Sequence, residues 1–281
     1  MPDSVLITGC TMGGAGSGIA LAFQARGLHV FATARSMAKL AHLSSLPNVT
    51  CLQLDVTSSA SIAKAVAIVN KTGDGTLKYL VNNAGVGMVM PILDTDIDEG
   101  KQMFEANFWG PVAMIKAFAP MIVEAKGTIV NVGSGAGSLP FIWIGVYAAS
   151  KAAFNLLSET LRLELEPLGV NVVTVVLGSV KTNFFSDIQS SWRLPLGSYC
   201  RTMEEVMIDK VNGSDFTPGT IDGEGVGKQI CNDILAGKKG NLYRGKDAWQ
   251  VPFIGLAPGF ILDFISKDKG LIKQFRVGKN E

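Results

Sequence analysis

Ser4-Val-Leu-Ile-Thr-Gly-Cys-Thr-Met-Gly-Gly-Ala-Gly-Ser-Gly-Ile-Ala-Leu-Ala-Phe, ending at Phe23, is the stretch that decides the fold of this chain. Its opening residues are apolar and partly β-branched and predict a short buried strand. Its closing residues, from Ile19, predict the start of a helix. Between them stand Gly9, Gly13, Gly14, Gly16 and Gly18. Glycines alone would read as a flexible loop, but between a strand and a helix they form the setting of a dinucleotide site. They let the backbone approach a pyrophosphate, and the helix N-terminus offers N–H donors and positive potential. The expectation is an α/β fold: a Rossmann-type, doubly wound parallel sheet of about seven strands with helices on both faces and right-handed crossovers.

Further apolar runs supply the other strands. Val30-Phe-Ala-Thr-Ala-Arg35 is the second, Cys51-Leu-Gln-Leu-Asp-Val56 the third, and Tyr79-Leu-Val81 the fourth, which runs into Asn82-Asn-Ala-Gly85. Ile129-Val-Asn-Val-Gly-Ser134 follows, then a run from Val170 to Leu177 and a last strand from Asn241. Residues 222–236 predict a helix. Residues 183–220 have mixed composition, with Trp192, Pro195, Tyr199 and Met203 among polar residues, and predict a mobile substrate lid.

A length of 281 residues, 47% hydrophobic and 17% charged, suits one domain over 1–281 with a buried parallel sheet. A net charge of +1 offers no electrostatic case for nucleic acid. Cys10, Cys51, Cys200 and Cys231 show neither Cys-x-x-Cys nor zinc spacing, so no metal site is predicted and a reduced, cytoplasmic setting is expected. The first strand begins by Val5 without a charged and apolar leader, which argues against a signal peptide. The Asn-x-Ser/Thr triplets at Asn48, Asn70 and Asn212 then read as chance matches.

A second motif suggests chemistry. In Gly145-Val-Tyr-Ala-Ala-Ser-Lys-Ala-Ala-Phe154, Tyr147 and Lys151 lie one helical turn apart on one face. Apolar spacing carries the helix through Leu165, and Pro167 and Gly169 end it. A free phenol has a pKa of about 10; a neighbouring ammonium favours its ionised form, so such a tyrosine can exchange a proton with a carbonyl or alcohol oxygen. That pair alone would more often be an ordinary helix surface. Ser134, thirteen residues before Tyr147 at the C-terminal end of a predicted parallel strand, changes the weighing, because ligands bind at that edge of an open α/β sheet.

The serine, the Tyr-x-x-x-Lys helix and the N-terminal glycine turn together resemble the short-chain dehydrogenase/reductase family over essentially the whole chain. The resemblance implies a catalytic set of Ser134, Tyr147, Lys151 and Asn107, the last at a kink in the helix through Phe104-Glu-Ala-Asn-Phe-Trp-Gly110, where it orders a proton relay. It implies a cofactor cradle of Gly9, Thr11, Gly14 and Gly16, with Gly13 in a lengthened loop; the other register makes Gly13 the second glycine and Ala15 the third. Asp55 and Val56 border the adenine. Asn83 shapes the cleft, Tyr147 and Lys151 also meet the nicotinamide ribose, and Val180 and Thr182 contact its carboxamide, with Leu177 where the family commonly has proline.

The second strand ends in Thr33, Ala34, Arg35 and Ser36, with no acid to accept the ribose 2′-hydroxyl. A guanidinium and a hydroxyl there suit a 2′-phosphate, so NADP(H) is the expected cofactor, although Arg35 can also be a solvated helix-start residue. The exit Gly245-Lys-Asp-Ala-Trp249 and the apolar extension over 249–281 are similar to a fungal acyldihydroxyacetone-phosphate reductase branch. That extension ends in Lys267, Lys269, Lys273, Arg276 and Lys279, and is broken by Pro252 and Pro258. It can lie against an endoplasmic-reticulum or lipid-droplet surface, cap the substrate pocket, or pack on a second subunit. The expected partners are a lipophilic ketone or alcohol and a second copy of the chain. A non-redox protein that holds NADP as a scaffold is the competing expectation.

Overall fold

Seven parallel strands carry the fold in the computed structural model, which describes residues 3–182, 184, 192–211, 219–254, 258, 260 and 262. They are β1 (Ser4–Ile7), β2 (His29–Ala34), β3 (Val49–Gln53), β4 (Tyr79–Asn82), β5 (Thr128–Ser134), β6 (Asn171–Leu177) and β7 (Gly240–Arg244). Their spatial order is β3-β2-β1-β4-β5-β6-β7. The chain builds outward from β1 to β3, crosses back to β4 and builds outward again, so the order reverses between β1 and β4. The ligand crevice of such a sheet opens at that switch point, above the carboxyl ends of the strands.

The helices are α1 (Ala15–Gln24), α2 (Ser59–Thr72), α3 (Ile97–Phe104), α4 (Gly110–Glu124), α5 (Gly145–Leu165), α6 (Glu204–Val211), α7 (Gly223–Leu235) and α8 (Val251–Ile254). Strand side chains alternate between two cores. Val5 and Ile7 join Val30, Val81 and Val173 under Ile19 and Phe23 of α1 and Val226 and Ile230 of α7. Leu6 joins Phe31, Leu80, Ile129 and Val172 under Ile62 and Val69 of α2 and Met114 and Phe118 of α4. Both faces are covered, which is why the strands read as nearly continuous apolar runs.

Two boundaries differ from the sequence expectation. Helix α1 starts at Ala15 rather than Ile19, because the second half of the glycine turn is already helical. There Gly18 packs backbone to backbone on α7: a Cβ would strike Gly223, and one on Gly227 would strike Gly18. Strand β3 ends at Gln53, so Asp55 and Val56 lie in the loop beyond it. Between α3 and α4 the chain makes a π-helical turn, Glu105–Trp109, with Asn107 at its centre.

The stretch expected to be a lid carries its own small core. Trp192, Leu194, Met203, Met207 and Val211 are buried together with Val89. Trp192 Nε1 donates to Val89 O at 2.6 Å, Leu194 N donates to Glu204 Oε1 at 2.8 Å, and Ser198 Oγ donates to Asp94 Oδ2 at 2.6 Å. Residues 183, 185–191 and 212–218 of that stretch, and most of the 249–281 extension, lie outside the described residues.

Candidate active site

The end of β5 and the first turns of α5 bring Ser134 and Tyr147 together. Ser134 Oγ accepts the Ala136 N–H at 3.1 Å, and its hydroxyl stands near enough to the Tyr147 phenol to favour the ionised form. One turn on, Lys151 is 5% exposed and donates from Nζ to Val132 O at 3.1 Å. Its ammonium also stands 5.7 Å from the centre of the Phe154 ring.

Asn107 is 1% exposed, and the π-helical turn aims its side chain at the loop after β4. Its Oδ1 accepts from Val86 N at 2.8 Å, while Nδ2 donates to Val86 O at 2.9 Å and to Ser150 Oγ at 3.1 Å. Ser150 Oγ in turn donates to Tyr147 O at 2.7 Å. A Cβ placed on Gly85 would stand 3.0 Å from Asn107 Oδ1 and 3.6 Å from Lys151 Nζ, so the two side chains converge on that glycine. All four residues expected to act together are thus gathered at the C-terminal edge of the sheet.

Burial shapes the electrostatics of the pair. Burial pushes the Tyr147 phenol above its ordinary value, and the Ser134 hydrogen bond pulls it only part of the way back. Burial lowers the Lys151 pKa to about 8, and its ammonium is turned to the Val132 carbonyl.

The glycine turn fits a dinucleotide. Gly9 is left-handed at φ 75°, and a Cβ on Gly16 would run into the Gly9 carbonyl and Asn83 Nδ2. Gly16, not Ala15, is therefore the residue pressed against Gly9, while Gly13 at φ 75° and Thr11 belong to the lengthened loop. Gly14 caps α1 without a side-chain hydrogen bond, and no acid stands in the first turn. The free N–H groups of that helix end suit an anion.

Thr8 and Asn83 lock this turn to the sheet. Thr8 Oγ1 accepts from Asn83 N and Ala84 N, both at 2.9 Å, and Asn83 Nδ2 donates to Thr8 O at 2.8 Å and Gly9 O at 3.1 Å.

Further along the edge, Arg35 and Ser36 are exposed beyond β2, and the Arg35 guanidinium has no acceptor among the described residues. Asp55 Oδ1 accepts from Thr57 N at 2.9 Å and Thr57 Oγ1 at 2.8 Å, and Val56 packs where a Cβ on Gly110 would be 2.8 Å away. Val180 and Thr182 follow β6, held by main-chain bonds between Ser179 and Lys246 and from Lys181 N to Ile221 O at 2.9 Å. The expected cofactor residues therefore line one edge, from Arg35 and Ser36 at one end to Val180 and Thr182 at the other.

Three contributors had no mark in the sequence reading. Ser150 bridges Asn107 and Tyr147. Phe184 lays its ring 5.9 Å from that of Tyr147. Asn155 Nδ2 donates to Ser134 O at 3.0 Å. The signal that finds Asn155 is its spacing, since 147, 151 and 155 follow one another at four-residue steps along α5.

The chain matches the short chain dehydrogenase family over residues 3–192. It is 44% identical over 264 residues to the short-chain dehydrogenase ptmH of Penicillium ochrochloron, covering 94% of this chain and 96% of that protein. It is 42% identical over 204 residues to the NADPH-dependent 1-acyldihydroxyacetone phosphate reductase of Schizosaccharomyces pombe, covering 73% of this chain and 65% of that one. Among solved structures, a short-chain dehydrogenase from Streptomyces avermitilis superposes with a TM-score of 0.77 at 28% identity, covering 99% of this chain and 98% of the other.

Proposed function

The chain belongs to the short-chain dehydrogenase family, an oxidoreductase class acting on alcohol and carbonyl groups with a nicotinamide cofactor, and on that premise we propose that it interconverts a lipophilic ketone and its secondary alcohol with NADP(H). The observation that carries the reading is the gathering of Ser134, Tyr147, buried Lys151 and Asn107 at the C-terminal edge of the sheet, with the Ser134 hydroxyl near enough to the phenol to favour its ionised form.

The nicotinamide, when bound, supplies or takes the hydride. Tyr147 passes its phenolic proton to the carbonyl oxygen in reduction and takes it back in oxidation, and Ser134 donates a hydrogen bond to the same oxygen. Proton transfer from a placed group is worth roughly 10²- to 10⁴-fold. Lys151 holds the ribose of the cofactor, and Asn107 keeps the loop at Val86 and the helix at Ser150 in register around it. A phenol raised by burial stays protonated through neutral pH, so reduction should be level there and fall only as the phenol ionises, while oxidation should climb with pH.

The preference for NADP(H) rests on the end of β2, where no acid stands and the Arg35 guanidinium is open to solvent. One relative named for NADPH dependence points the same way. A charge-assisted contact to phosphate is worth about 1.5–3 kcal/mol, so Arg35→Ala should weaken NADPH binding roughly ten- to a hundredfold and leave NADH binding nearly unchanged. The lipophilic substrate is inferred from apolar side chains left exposed on two segments that the Ser198–Asp94 bond ties together: Ile92 and Leu93 on one, Leu196 and Tyr199 on the other.

The test is NADPH oxidation against a panel of lipophilic ketones, with Tyr147→Phe as the control that keeps the fold and removes the proton donor. Turnover that survives in the control, or equal binding of NADH and NADPH by the parent chain, overturns the respective part of the reading.

A further inference from the structure

Ser134 is the last residue of β5 and is paired only on one side, with Leu177 of β6, since the pairing with β4 ends at Asn131. Its side chain can meet the phenol only if the main chain there keeps its distance from α5. Two observations show what sets that distance. Asn155 Nδ2 donates to the Ser134 carbonyl at 3.0 Å, and this is the amide's one hydrogen bond among the described residues, since its Oδ1 is buried without a partner. That oxygen occupies the space beside Gly133: any Cβ at Gly133 would collide with it, and Asn155 supplies the only severe clash there.

The turn after Ser134 is seated the same way. A Cβ on Gly137 would stand 2.7 Å from Ala152 N and 2.8 Å from Asn155 Nδ2, so the 3₁₀ turn Gly135–Gly137 lies directly on the α5 backbone. Asn155 thus fills the junction between strand and helix, with Gly133 on one side and Gly137 on the other.

We propose that Asn155 is a positioning residue, which fixes the Ser134 hydroxyl against the Tyr147 phenol by pinning the Ser134 carbonyl to α5. A hydrogen bond to a carbonyl is directional, so losing it lets the strand end move relative to the helix. The hydroxyl then no longer points at the phenol, although both catalytic side chains remain. The chemistry of the contact supports the assignment: a donor hydroxyl stabilises the phenolate, and Ser134 is the one group that acts against burial at Tyr147. Lys151, the nearest cation along α5, is engaged by Val132. The inference rests on the pairing of Ser134 with Tyr147 in the proposed function and deepens it.

The experiment is a phenolate absorbance titration of the full-length chain, for which no substrate is needed. Tyr147 is one of 4 tyrosines, so each variant is measured against the same variant carrying Tyr147→Phe, and the difference isolates its titration. Asn155→Ala should raise the Tyr147 pKa by about one unit, as should Ser134→Ala, the order expected for one hydrogen bond to the charged form. Gly133→Ala reaches the same contact from the strand side and should raise it as well.

In the double variant the methyl added at position 133 has room, so its effect should vanish rather than add. NADPH binding, followed by fluorescence, should stay within twofold of the parent in Asn155→Ala. An unmoved titration in Asn155→Ala while Ser134→Ala shifts overturns the proposal, as does full additivity of the two substitutions. If Asn155→Ala does not fold, an unmoved titration in Gly133→Ala overturns it alone. A parent chain that titrates as expected but oxidises no NADPH with any ketone would instead remove the functional reading and leave the positioning result standing.

Discussion

The glycine turn on one side of the cleft is gripped at its main chain by polar side chains and close packing, whereas the flap over residues 192–211 on the other is held by an apolar cluster. The Asn83 amide donates to the Thr8 and Gly9 carbonyls, the Thr8 hydroxyl accepts the Asn83 N–H, and Gly16 leaves no room for even a methyl beside Gly9. The flap depends on Trp192, Leu194, Met203 and Met207, which form a cluster separate from the two cores of the sheet. A region gripped at its main chain with no space for a Cβ admits almost no substitution. One held by its own apolar side chains can change them, and with them the shape of the pocket, without disturbing the sheet. The first should therefore serve the shared cofactor and the second the particular substrate.

Tyr147 lies between the two regions and tests whether both serve one reaction. Tyr147→Phe should lower kcat by roughly 10²- to 10⁴-fold while NADPH affinity stays nearly unchanged, as read by steady-state rates and fluorescence titration. A loss of cofactor binding of similar size would mean that the phenol belongs to the cradle alone.

Gly16→Ala should break the tightly packed glycine side. Overpacking a tight contact costs about 1–3 kcal/mol, which corresponds to roughly ten- to a hundredfold in NADPH affinity, with the ratio of long- to short-chain ketone turnover unchanged. Trp192→Ala should do the reverse. Truncating a buried tryptophan opens a cavity and loosens the cluster around it. About a tenfold rise in KM for 2-decanone, with little change for 2-butanone or for NADPH, is the expected result. Matching losses on both ketones would erase the division between the two regions.

The smallest effect concerns Lys151, whose pKa burial lowers from an ordinary 10.5 to about 8. Below that lower value both folded and unfolded chains hold the proton, and the folded state bears the full cost of the buried charge. Between the two values the folded chain has shed the proton and the unfolded chain has not, so stability rises with pH across that window. Lys151→Met should therefore be more stable than the parent near neutral pH by on the order of 2 kcal/mol, a few degrees in Tm, with the gap closing as pH approaches that ordinary value. A constant gap in thermal melts across that range would show that the ammonium is solvated.

Sequence and structure divided the work unevenly along the chain. Periodicity made the strands and α5 legible, and residue spacing placed Tyr147 and Lys151 on one face. Thr8 and Asn83 were visible as residues, but not their mutual bonds, because those cross 75 positions of chain. Trp192 read as part of a mobile lid, since nothing local announces a hydrogen bond to Val89, 103 residues away. Helix α1 read as beginning at Ile19 because glycine carries a helix penalty, which close packing against α7 overrides at Gly18.

Residue order was enough to specify the doubly wound sheet, the glycine turn and the one-turn spacing of phenol and ammonium. All three follow from local alternation, conformational preference and helical pitch, which act within a few residues. Long-range packing was needed to bring Ser134 beside Tyr147, to place the Asn155 amide on the Ser134 carbonyl, and to bury the phenol so that its pKa is raised. Desolvation is a sum over every segment packed around a group, and those segments lie far apart in the chain.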